Sequence, residues 1–359
     1  MGLQRLHLDK TLFYALLSLA AISLFVVYSA SAKDTSATFS HFLHLLLGFG
    51  TLLVVAQIRP EILERWSPVV FAIGMILLIA VFAVGVIGKG AQRWLHLGFI
   101  KFQPAEIMKL GVPMMLSWYL ARDHLPPGLP RLGLAFLMAL VPALIIIKQP
   151  DLGTALLVLS AGVFVLFLGG VRWRVITTLF AILAVAAPFA WNHLHEYQRN
   201  RVITLFNPDA DPLGTGYHTI QSMIAVGSGG FYGKGWLNSS QAHLEYLPES
   251  STDFIFAVFA EEFGLIGSLL LVGLYVFIVG RGMLIAYLAQ DAYARLLAGS
   301  LSLTFFISFF VNMGMVTGIL PIVGVPLPVM SYGGSSIVTI MAIFGVLMSI
   351  QTHRKIVEQ

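Results

Sequence analysis

Residues 247–256 read LPESSTDFIF, so Asp253 stands where an acidic, hydroxyl-rich stretch turns into an apolar run. A carboxylate placed there is suited to take a proton from a hydroxyl nucleophile, and the neighbouring Glu249, Glu261 and Glu262 would raise its proton affinity. Ser251, Thr252 and Asp253 could equally cap the helix that follows. Several carboxylates beside and inside an apolar segment are costly, however, and call for a cavity, a cation or proton handling.

Two further stretches carry groups of the same kind. GKGAQRWLHLGFIKFQPAEIMKL, residues 88–110, presents Arg93, Trp94, Lys101, Glu106 and Lys109. Glu106 and Lys109 are three apart and share one helix face, as a functional charge pair or as a structural ion pair between helices. Trp94 also fits an ordinary interfacial aromatic. KQPDLGTA, residues 148–155, places Lys148 and Asp151 before the next apolar run. Asp151 is either an N-cap or a second carboxylate aimed at the cavity of Asp253.

Between 193 and 253 lies the longest polar stretch, with Arg199, Arg201, the turn-rich NPDADPLGTG, and an amphipathic segment carrying Gln221 and Ser222. The spacing of Asp209 and Asp211 lacks the glycine and bidentate glutamate of a calcium loop. GSGGFYGKGW, residues 227–236, is not a nucleotide-binding loop, because Lys234 is followed by Gly235 rather than Ser or Thr. It offers close backbone approach and one cation, suiting a tight re-entrant fold or a lipid-linked phosphate.

The elements that must position these groups are transmembrane helices. The chain is 58% apolar and 11% charged with a mean hydropathy of +0.87, far outside soluble composition. Apolar segments of roughly 16 to 25 residues, enough to cross the bilayer core, fall at 11–30, 40–57, 68–87, 104–121, 132–147, 152–170, 175–192, 254–280, 294–317 and 334–351. The expectation is an all-α polytopic membrane protein of about ten helices, a single domain over residues 1–359, with 193–253 as a large extracytoplasmic loop. Helices rather than open sheet are expected because lipid satisfies no backbone group.

Arg and Lys set the orientation. Arg5, Lys10, Arg59, Arg65, Arg122, Arg131, Arg172, Arg174, Arg281, Arg295, Arg354 and Lys355 fall on one side, which places both termini in the cytoplasm and the candidate residues outside. A net charge of +4 without a basic run suits anionic membrane lipid and gives no sign of nucleic-acid binding. With no cysteine, disulfides and thiol catalysis are excluded.

RWLHLGFIKFQPAEIMK, QPDLGTA, QSMIAVGSGGFYGKGW, LPESSTDFIFAVFAEEFGLIG and NMGMVTGILPIVGVPLPVMSYGGSS, in this order on ten spans, closely resemble the SEDS family of cell-wall glycan polymerases. GKGW and the 312–328 run look more like its elongation branch, RodA, than its division branch, FtsW. The resemblance implies a peptidoglycan glycosyltransferase that polymerises lipid II on the outer face of the bacterial inner membrane. It puts the essential aspartate on Asp253, and the residues of its other motifs on Trp94, Glu106, Lys109 and Asp151. Ser251 stands where relatives commonly carry His, and Ala105 where Ser is usual.

The implied chemistry needs one base. The undecaprenyl diphosphate leaving group departs as a stable anion, so no acid must protonate it, unlike in glycosidases. Asp253 would take the acceptor hydroxyl proton during inverting transfer. Glu249 and Thr252 flank it and Gln221 faces the same side. Lys109, with Arg93, Lys101, Lys148 and Lys234, would offset the diphosphate charge. The acidic cluster permits a divalent cation without specifying one. The alternative is a lipid II flippase, but flipping needs polar residues at alternating depth and here they cluster outside. No Ser-x-x-Lys motif supplies acyl transfer. The resemblance therefore implies a class B penicillin-binding protein transpeptidase as partner, among other elongation-machinery proteins.

Overall fold

A computed structural model describes residues 7–88, 91–97, 100–172, 215–243 and 249–353, with isolated positions between these stretches. The expected seventh span, 175–192, and the loop that follows it to 214 lie largely outside the described residues.

The first three helices are α1 (Lys10–Ala30), α2 (Thr35–Ala56) and α3 (Pro60–Val84). Asp9 and Asp34 cap α1 and α2 by accepting from Leu12 N and Ser36 N. Helix α3 starts eight residues before the expected span because Pro60 suits a first helical turn. It also ends earlier, at Val84. The polar connection after it is a three-stranded antiparallel sheet of β1 (Val86–Gly88), β2 (Ala91–Leu97) and β3 (Ile100–Phe102). The sheet is confined to this polar connection, and the apolar spans described are helical as expected. Along β2 Leu95 is buried and His96 exposed, the two-residue alternation of a strand that covers something on one side.

Next come α4 (Pro104–Ala121), α5 (Leu129–Lys148), α6 (Leu152–Leu168), α7 (Thr215–Ser228) and the single turn α8 (Ser240–His243). The last three are α9 (Ile255–Tyr287), α10 (Ala292–Val316) and α11 (Gly334–Thr352). Seven of these helices are long and apolar enough to cross a membrane, with α6 a shorter apolar helix. α9 has 33 residues but is broken at Gly264, so it is two helical segments joined at a kink rather than one continuous rod.

Two apolar cores organise the bundle. One joins α1, α2, α9, α10 and α11 and includes Leu16, Leu52, Ile278, Leu301 and Phe344. The other joins α4, α5 and α6 around Met108, Val112, Ala139 and Val158. α10 packs against members of both halves and is the most enclosed helix, so a side chain on it can reach either half.

Candidate active site

The candidate residues converge at the end of the bundle where α1 meets α2, α5 meets α6, and α10 meets α11. Asp253 closes a turn that begins at Glu249. Thr252 N and Phe254 N donate to Glu249 O at 3.0 and 3.3 Å, and Thr252 Oγ1 donates to Glu249 Oε2 at 2.6 Å. Glu249 is therefore tied to Thr252. Phe254, not Asp253, occupies the N-cap position of α9, and no side chain caps that helix. The capping use of Asp253 falls away, and its half-buried carboxylate turns to the connection between α10 and α11. A Cβ added at Gly324 would lie 3.4 Å from Asp253 Oδ2.

That connection is held to the Asp253 turn by its backbone. Ser331 Oγ donates to Thr252 O at 2.6 Å and Tyr332 N to Ser251 O at 2.9 Å, while Tyr275 Oη donates to Pro328 O at 2.6 Å. These bonds satisfy a proline-rich, non-helical segment that lipid could not. Ser331 serves the fold here.

Near the same segment, Lys109 Nζ lies 2.7 Å from Glu106 Oε1 on α4, with both residues buried. Lys109 lines a cavity of about 10 Å³ together with Thr304, Ser308, Val325, Pro326 and Ser336, room for one water-sized group. Asp253 and Lys109 thus both border residues 324–326, Asp253 at Gly324 and Lys109 in the cavity lined by Val325 and Pro326.

Asp151 does cap α6. Its Oδ1 accepts from Thr154 N at 3.1 Å, and its Oδ2 accepts from Gln103 Nε2 at 2.7 Å. Both oxygens have protein partners. At Gly153 a Cβ would come within 2.6 Å of Val323 O, so the start of α6 forms the floor under residues 323–325. Arg93 on β2 braces the preceding turn, donating through Nε to Gln149 O at 3.1 Å and through Nη2 to Pro150 O at 2.5 Å. Trp94 follows it, half-buried and paired with Val86 across the sheet.

The remaining candidates are spread more widely. Lys101 is opposite His96 in the sheet, and its side chain lies outside the described residues. Lys148 is exposed at the end of α5, and Gln221 is half-buried on α7. Lys234 Nζ sits 2.6 Å from the fully buried Glu261 Oε1, and Ser239 and Ser240 also donate to that carboxylate. Glu262 accepts from Ser29 Oγ and from Leu237 N. The structure thus uses Glu261, Glu262 and Lys234 to dock the 229–237 loop. Among the described residues no group of three or more His, Asp or Glu side chains could hold a metal ion.

Sequence reasoning missed Asn312. It is fully buried on α10 and donates to Asp253 O at 2.8 Å and to Val325 O at 2.7 Å. A lone amide inside an apolar helix was the available signal.

The fold defines an integral membrane protein, with the candidate carboxylates toward one end of a helical bundle. Residues 9–356 match the FtsW, RodA and SpoVE family of cell cycle proteins, and the chain belongs to that family. It is 49% identical over 356 residues to the peptidoglycan glycosyltransferase MrdB of Escherichia coli (strain K12), covering 99% of this chain and 96% of that protein. The MrdB of Helicobacter pylori (strain ATCC 700392 / 26695) is 37% identical over 363 residues, covering 98% and 92%. Among solved structures, a chain of a peptidoglycan synthase complex that coordinates polymerization and crosslinking superposes with a TM-score of 0.84 at 30% identity, covering 96% of this chain and 97% of that one. The rod shape determining protein RodA of Thermus thermophilus gives a TM-score of 0.74 at 25% identity over 97% and 98%.

Proposed function

We propose that the protein is a peptidoglycan glycosyltransferase that polymerises lipid II, with Asp253 as the general base. The observation that carries the assignment is the Asp253 carboxylate lying against the Gly324 backbone, on a segment that also borders the cavity of Lys109. Near-half identity over the full chain to a named glycosyltransferase supports polymerisation over the flippase alternative. In the reaction the acceptor hydroxyl oxygen bonds to the anomeric carbon, the carbon–diphosphate bond breaks with inversion, and Asp253 receives the hydroxyl proton. The undecaprenyl diphosphate carries away the bonding pair and needs no acid.

The other site residues divide by their contacts. Glu106 and Lys109 hold charge balance beneath residues 325–326. Asp151, Gln103 and Arg93 fix the floor at the start of α6. Trp94 on the sheet and Gln221 on α7 are placed to meet sugars, and the exposed Lys148 and the basic Lys101 suit the diphosphate. Glu249 and Thr252 set the turn that carries Asp253. Lys234 serves the fold through Glu261.

Residues 1–359 act as one domain in the bacterial inner membrane, with both termini in the cytoplasm and 193–253 outside, supported by the Arg and Lys distribution. The chain has no acyl-transfer motif, so a class B penicillin-binding protein supplies crosslinking, supported by the likeness to a chain of a complex that couples the two reactions. If the isolated protein polymerises as fast as the paired one, dependence on that partner is wrong.

The deciding experiment is polymerisation of purified lipid II by wild type and Asp253→Ala, each with its transpeptidase partner. Glycan from wild type and none from the variant is expected. Equal product from both would remove Asp253 as base, and no product from either would reopen transport.

A further inference from the structure

The amide of Asn312 is an unusual use of a buried position. Both Nδ2 hydrogens are taken by main-chain carbonyls, those of Asp253 and Val325, while Oδ1 has no hydrogen-bond partner among the described residues. The two carbonyl oxygens fix which way the amide points, since an oxygen turned toward them would face acceptors. A buried acceptor left unpaired is a cost that an apolar residue of similar size would avoid. The position therefore retains its polarity for what the two donated bonds accomplish.

They join two segments that no helix hydrogen bond could join. One is the turn ending at Asp253, 59 residues away in sequence from Asn312, and the other is the connection at Val325. Val325 lines the cavity beside Lys109, and its neighbour Gly324 faces Asp253 Oδ2. α10, the most enclosed helix, supplies a rigid post for the clamp.

We propose that Asn312 is a positioning residue for glycosyl transfer: its amide clamps the backbones of Asp253 and Val325 together, and so sets where the Asp253 carboxylate stands relative to residues 324–326. The inference rests on Asp253 being the base. A displacement of about 1 Å at a reacting group can cost on the order of 100-fold in rate. Loss of the clamp therefore acts on turnover. Substrate binding, which the proposed function assigns to the sheet, Gln221 and the exposed lysines, is left in place.

The test compares wild type, Asn312→Ala, Asn312→Ser and Asp253→Ala, all full length with the transpeptidase partner, on purified lipid II. Turnover, KM and thermal unfolding midpoint are measured on monodisperse protein. Asn312→Ala is expected to lose about 10- to 100-fold in kcat with KM changed by less than about twofold. Asn312→Ser, which keeps one donor, should fall between it and wild type. Wild-type kcat per folded molecule in Asn312→Ala would overturn the proposal, as would failure of both Asn312 variants to fold, which would make the clamp purely structural. An active Asp253→Ala would refute the base itself, whereas an inactive Asp253→Ala beside a fully active Asn312→Ala would refute the clamp alone.

Discussion

The Lys109 ammonium lies 2.7 Å from the Glu106 carboxylate one helical turn away, and the two side chains are only 6% and 5% exposed. Such a pair gives little net stability while intact, yet breaking it leaves a charge in a low-dielectric interior. Glu106→Gln or Lys109→Met should each cost about 3–5 kcal/mol in unfolding experiments. The double replacement Glu106→Leu with Lys109→Met should recover most of that loss. Single variants within about 1 kcal/mol of wild type would mean that the pair is hydrated.

Asp151 offers a cleaner separation of structure from chemistry. Its two oxygens serve Thr154 N and Gln103 Nε2. Asp151→Asn keeps an acceptor for Thr154, and Gln103 can rotate its amide to accept from the new side chain. That variant should retain most polymerase activity, while Asp151→Ala should lose about 1 kcal/mol of stability with the cap. An inactive but stably folded Asp151→Asn would show that the charge itself is required.

The membrane class and, among the described residues, nine of the expected helices were legible because each span is an apolar run, with boundaries shifted by up to eight residues, as at Pro60. The sheet at 86–102 was less legible. Its alternation is confined to a few residues between glycines, so the stretch read as a polar loop between two spans. Asp253, Glu106, Lys109 and Asp151 stood out by residue type. The partners that assign their roles were not readable, because Asn312–Asp253 and Gln103–Asp151 are contacts across 59 and 48 residues. Lys234 illustrates the converse. A cation in a glycine-rich loop suited either a tight re-entrant fold or a phosphate, and its contact with Glu261 on α9 fits the first.

At the opposite end of the bundle, His7 stacks on His353, with ring centroids 4.0 Å apart and planes 8° from parallel. Burial holds the His7 pKa below its ordinary value of 6.5, with the His353 and Arg59 charges adding to the effect. The folded state therefore binds protons less readily than the unfolded one. The stacking contribution is fully present above the ordinary histidine value and is lost as pH falls through the lowered one. Hydrogen exchange at the start of α1 should accelerate on going from about pH 7.5 to about pH 5.5 beyond the intrinsic pH trend, and His7→Phe should abolish the change. An unchanged pH response in that variant would place the sensitivity elsewhere.

The docking of the 229–237 loop into α9 yields the sharpest stability prediction. α9 is interrupted at Gly264, where φ is +66° and ψ is −163°. Leu265 N and Ile266 N donate to Gly230 O and Phe231 O at 2.8 and 3.2 Å, and Lys234 N and Gly235 N donate to Glu261 O and Glu262 O, both at 3.0 Å. The loop thus takes over two pairs of groups that an unbroken helix would join to each other. The fit leaves no space: a Cβ on Gly233, itself at φ +79°, would meet Glu262 O at 2.1 Å, and one on Gly264 would meet Gly233 N at 2.3 Å. Gly233→Ala and Gly264→Ala should each cost at least about 2 kcal/mol, from left-handed strain and overpacking together. Each should also expose the loop to limited proteolysis. Gly227→Ala, seven residues from Lys234 on the exposed face of α7 with nothing within 4 Å, should stay within about 0.5 kcal/mol of wild type. Equal costs for Gly233→Ala and Gly227→Ala would show that the loop does not sit inside the helix break.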